Sequence, residues 1–124
     1  MLAYDPGLIS EMFAALLQHE INRVHLVADN RISPLLVVYC NIASNHDVIL
    51  SPNYLRGEFF PRLKRLTDAC NEHGIKVVFH FEGNIKKGMD DLVECEIDGI
   101  TPSAVKSENA TALFRVARKY GTCY

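Results

Sequence analysis

Two short apolar runs, "LLVVYC" from Leu35 to Cys40 and "IKVVF" from Ile75 to Phe79, are set between segments of helical periodicity. That alternation limits the chain more than any other feature. Each run is β-branched and too brief for a self-burying helix, so it predicts a strand, and the near-continuous apolarity of the first predicts cover on both faces. Strands that alternate with helices predict parallel pairing through right-handed crossovers.

The helices announce themselves by their starts. Asp5-Pro6 is an N-cap followed by proline at the first helical position, and Leu8, Ile9, Met12, Phe13, Leu16 and Leu17 then recur at helical spacing, predicting a helix from Pro6 into the twenties. Ser51-Pro52 repeats that start, and Tyr54, Leu55, Phe59, Leu63, Leu66 and Ala69 carry the pattern to Gly74 as the C′ residue. Pro61 falls inside it, which predicts two short helices or one kinked helix. A third helix is expected around Lys86 to Glu94, a short third strand at Asp98 to Ile100, and a last helix after Ser107 and Asn109, through Leu113, Val116 and Ala117 to Tyr120. The predicted order is α-β-α-β-α-β-α in a single α/β domain over residues 1–124. A doubly wound open sheet and a (β/α)8 barrel share this signature.

The composition suits such a domain and excludes several roles. With 48% hydrophobic and 23% charged residues, the 124-residue chain can bury one core. Its net charge of −2 comes from interspersed charges, which argues against nucleic acid or a membrane surface as the partner. No apolar run approaches the ~20 residues that span a bilayer, and "MLAYDPGL" lacks the basic start and apolar core of a signal peptide. Cys40, Cys70, Cys95 and Cys123 form no C-x-x-C pair, so the expectation is four reduced thiols in a cytoplasmic protein.

Parallel α/β proteins bind ligands at the carboxyl ends of their strands. Asn41 with Asn45, His46 and Asp47 follows the first strand, His80 with Glu82 and Asn84 follows the second in the loop "HFEGN", and Thr101 follows the third. His80 suits a general acid or base, with an ordinary pKa near ~6.5, or a metal ligand through a neutral nitrogen. The alternative is a strand-end histidine bonded to a backbone carbonyl. Glu82 could share a proton or a metal ion with it, although H-x-E offers two ligands where most sites need three or more. Asn41, Asn45, Asn84 and Thr101 have the functions that orient a polar substrate, and the competing explanation is a polar surface loop. Neither G-x-G-x-x-G nor a P-loop is present, which removes the usual nucleotide readings.

The stretches "YCNIASN", "ILSPNYLRGEFFPRLKRLTDACNEHGIKVVFHFEGN", "MDDLVECEIDGITP" and "RKYG", taken in that order, resemble the uroporphyrinogen decarboxylase superfamily, which also contains corrinoid-dependent methyltransferases. The resemblance covers most of the chain. It implies a (β/α)8 barrel of which this chain is the central-to-late part, with the site at the carboxyl ends of the strands. It implies a carboxy-lyase of porphyrin biosynthesis, working on a polycarboxylated tetrapyrrole or another polar carboxylate without an organic cofactor. His80 falls on the strand-end histidine that ligates zinc in the methyltransferases, which makes a zinc site at His80 and Glu82 the alternative. Glu82 stands where those enzymes have cysteine, and Asn41 where aspartate is frequent. A further alternative is a non-catalytic half-barrel that forms a homo-oligomer through its strand edges.

Overall fold

In the computed structural model, described here for residues 5–44 and 49–102, three parallel strands form one sheet in the order β1-β2-β3. These are β1 (Leu35–Tyr39), β2 (Lys76–Phe81) and β3 (Gly99–Pro102). Helix α1 (Pro6–Val27) precedes β1, α2 (Pro52–Tyr54) and α3 (Phe60–Glu72) join β1 to β2, and α4 (Met89–Glu94) joins β2 to β3. The predicted last helix, together with Asn45, His46, Asp47 and Cys123, lies outside the described residues.

Both cap-and-proline starts do what their chemistry predicts. Asp5 accepts from the Leu8 N–H at 2.9 Å, and Ser51 Oγ accepts from the Tyr54 N–H at 3.2 Å. The helical run divides ahead of Pro61 into α2 and α3, as expected, but without a gap between them. The chain between α2 and α3 takes a π-helical turn over Leu55–Phe59, and Pro61 then sits in the first turn of α3, where a missing N–H costs little. Gly74 ends α3 with φ of +70°, the left-handed conformation that glycine adopts without strain.

Among the described residues the sheet has one covered face and one bare face. Val77, Phe79 and Phe81 of β2 and Ile100 of β3 are buried, and they share a core with Leu55, Phe60, Leu63 and Cys70 on one side of the crossover and Met89, Leu92 and Val93 of α4. Leu36 and Val38 of β1 lie in register with Val77 and Phe79 and pack against the same core. The intervening residues Leu35, Val37 and Tyr39 are 46%, 53% and 57% exposed. Cover on both faces of β1, expected from its unbroken apolarity, is therefore absent among the described residues; period-two alternation places every other side chain on the open side.

Strand limits also shift in a way that matters for the site. β2 runs through Phe81 and β3 through Pro102, so His80 and Thr101 are strand residues. The expected loop "HFEGN" begins in fact at Glu82. Asp98, just ahead of β3, ties the two strands at their amino ends by accepting from the Val77 N–H and from Lys76 Nζ, each at 2.9 Å.

Candidate functional site

The registers Tyr39↔His80 and His80↔Thr101 set three side chains in one row across the bare face, at its carboxyl end. The Tyr39 ring stacks on the imidazole with centroids 5.2 Å apart and planes inclined by 22°. On the other flank, His80 Nδ1 lies 2.9 Å from Thr101 Oγ1. A threonine hydroxyl can donate to a bare Nδ1 or accept from a protonated one, so this contact survives either charge state of the ring. Nε2 is then the nitrogen left for a ligand, and proton exchange there leaves the anchoring bond in place.

The neighbouring loops are locked to each other. Gly83 has φ of +85°, and a Cβ there would collide with the Ser44 carbonyl oxygen, so only glycine permits the approach. The Asn84 N–H donates to that same Ser44 carbonyl at 2.7 Å, which couples the loop after β1 to the loop after β2. Asn84 Oδ1 accepts from the Lys86 N–H at 3.1 Å, an Asx-type turn leading into the single 3₁₀ turn Lys86–Gly88 ahead of α4. Its amide oxygen thus shapes the backbone of the predicted site.

Of the residues expected from sequence, His80 and Thr101 come together, and Glu82 is exposed one residue past β2. Asn41 is exposed and borders a cavity of about 550 Å³ on the helical side of β1, walled by Phe13 and Leu17 of α1 and by Val38, Phe59 and Leu63. Asn45 lies outside the described residues. Tyr39 was missed. Its strand position, matching His80 in an adjacent parallel run, was the available signal, and it needed the register to be useful.

Zinc does not fit the donors that the described residues supply. Among the described residues no group of three or more His, Cys, Asp or Glu side chains could hold a metal ion, which leaves His80 and Glu82 as two donors where a zinc site takes at least three from the protein. The described thiols are poor donors: Cys70 and Cys95 are buried, Cys40 is partly buried, and burial pushes all three thiols up, that of Cys95 to about 11. A thiolate is the form that binds metal. Among the described residues, no helix is long and apolar enough to cross a membrane.

Comparison of the chain with protein-family models, with curated proteins and with solved structures finds no match.

Proposed function

We propose that the chain is an arc of a (β/α)8 barrel of the uroporphyrinogen decarboxylase type, in which His80 moves a proton at the reacting carbon of a polycarboxylated tetrapyrrole. The resemblance supplies the decarboxylase type, and one observation supports the barrel: among the described residues, a parallel sheet with its helices on one face presents Tyr39, His80 and Thr101 at the carboxyl end of the other face. A doubly wound sheet has helices on both faces, whereas a barrel keeps them outside and turns the bare face to the lumen.

The chemistry asks little of such a residue. Loss of carbon dioxide leaves the bonding electrons on carbon, and a proton delivered from His80 Nε2 completes the exchange of carboxylate for hydrogen. Thr101 holds the ring through Nδ1 in both charge states, and Tyr39 offers a flat apolar surface beside it. The row supplies no cation for the substrate carboxylates, so the described residues form one wall of a site. The chain by itself should be inactive.

Titration with uroporphyrin I, the planar oxidised form of the substrate class, tests the reading. The expected result is a shifted Soret band, weakened at least about tenfold in binding constant by Tyr39→Ala or His80→Ala in folded variants. No spectral change with the unsubstituted chain would sink the proposal. Measurable decarboxylation of uroporphyrinogen by the 124-residue chain would overturn the expectation of inactivity.

A further inference from the structure

Of the residues of α1, Ile9 and Ile21 are the buried ones, so its hold on α3 depends on polar contacts at its start, middle and end. Near the start Ser10 bonds to Glu58 and Arg62, midway Gln18 accepts from Arg65, and at the end His25 Nδ1 lies 2.8 Å from His73 Nε2. We propose that His25 and His73 are a proton-operated clasp between the C-terminal ends of α1 and α3, closed while one proton lies at the contact and open when each ring brings its own. The clasp sits where these helices end and the strands begin, at the opposite end of the sheet from Tyr39, His80 and Thr101. It goes beyond the catalytic reading and does not depend on it.

The contact distance sets the rule. Two ring nitrogens at 2.8 Å form a hydrogen bond, in which one carries a proton and the other is bare. The ring planes are inclined by 55°, so the rings meet through their nitrogens and not by stacking. A neutral pair satisfies the bond by choice of tautomer. A singly protonated pair does so with an imidazolium donor, which makes the bond shorter and stronger. A doubly protonated pair has an N–H on both sides and no acceptor, so the bond is lost and like charges face each other.

The surroundings make that last state accessible. His25 lies in the last turn of α1 and His73 caps α3, and each helix end favours a cation on its own helix. Glu72 Oε2, 4.0 Å from His25 Nδ1, adds a carboxylate, and the His25 side chain is 41% exposed. The charged groups that flank the clasp along the chain are engaged elsewhere: Arg23 with Glu20, Arg31 with Asp29, and Lys76 with Asp98. The other two α1 contacts keep their charge over about pH 5 to 8, where imidazole changes its own. Arg62 and Ser10 hold the Glu58 carboxyl below its ordinary value, and Gln18 carries no charge.

Opening the clasp frees more than the end of α1. Residues 28–34 join α1 to β1, and the Asn30 amide sits against Gly74 at the end of α3. Uptake of the second proton therefore loosens the lead into the strand that carries Tyr39.

Amide hydrogen exchange of the full chain in metal-free buffer, at about pH 5 and about pH 7.5 with each rate divided by its intrinsic chemical rate, tests the clasp. Amides from Asn22 to Ala28 should lose roughly two- to fivefold in protection at the lower pH, the scale of one exposed charged contact, while those from Leu63 to Cys70 keep theirs. His73→Gln supplies a neutral acceptor that His25 can bond in either charge state, so its α1 amides should be equally protected at both pH values. Proton NMR needs no variant: the His25 and His73 rings should titrate in two coupled steps, with His19 as the independent reference on α1. Equal protection at both pH values in the unsubstituted chain, a loss that persists in folded His73→Gln, or independent single-step titration of the two rings would each overturn the inference.

Discussion

The two sides of this molecule are built from similarly apolar residues and treat them in opposite ways. From Leu55 to Ile100 the apolar side chains close into one core, with Val77, Phe79, Phe81, Met89 and Leu92 at or near zero exposure. From Leu8 to Ile49, Ile9, Ile21 and Ile42 are buried, but Leu8, Met12, Leu16, Leu26, Ile32, Val37 and others of the same types stand in solvent. Among the described residues the difference is one of neighbours: β2 has a paired strand on each side and helices beneath it, whereas β1 has one paired side and α1 leans on α3 beside a cavity of about 550 Å³. Apolar sequence creates a demand for burial, and the number of packed neighbours decides whether it is met.

The largest expected effect breaks this contrast at its centre. Phe79→Ala should destabilise by about 3–5 kcal/mol, since its ring is fully enclosed, whereas Val37→Ala on the bare face of the monomer should cost under about 0.5 kcal/mol. Urea unfolding of the two variants under monomeric conditions measures both, and equal losses would show that the bare face is covered.

Gly83→Ala comes next. Its backbone is left-handed and an added methyl meets the Ser44 carbonyl, so a loss of about 2 kcal/mol or more is expected in the same assay. The packed side also predicts a silent thiol: at pH 8 Cys95, buried and with its thiol pushed up to about 11, should react with a disulfide reagent only after unfolding, read by mass spectrometry of the labelled peptide.

A smaller effect belongs to Asp98. Burial pushes its carboxyl up, but the Val77 N–H and the Lys76 ammonium outweigh that and hold it below the ordinary value of 3.8. A carboxyl whose folded pKa is depressed stabilises the fold above its unfolded pKa and loses that contribution as pH falls through the folded one. The urea midpoint of the chain should therefore drop more steeply below about pH 4 than that of Asp98→Asn. Parallel slopes would remove Asp98 from the set of groups that tie β2 to β3.

Much of the local structure could be read from residue order because its causes are local. Asp5 and Ser51 cap helices with their own side chains, and Gly74 takes the left-handed turn that closes α3. Boundaries that depend on pairing were less legible: β2 continues through His80 and Phe81, and β3 through Thr101 and Pro102, since strand length is set by the partner's register. The π-helical turn ahead of Pro61 was not foreseen, because a proline pattern reports the missing N–H without telling how the chain accommodates it. His80 and Thr101 were legible as strand-end groups; Tyr39 was hidden inside an apolar run.

Sequence by itself determined that the chain would alternate helices with short strands, where three helices begin or end, and that His80 would stand near a carboxyl end. Only the tertiary structure decided that Tyr39, His80 and Thr101 form one row, and that the apolar residues of β1 divide between core and solvent. Periodicity along a chain specifies which side chains share a face, but the neighbours on that face come from strand register and helix docking. Those are long-range pairings, and no local pattern records them.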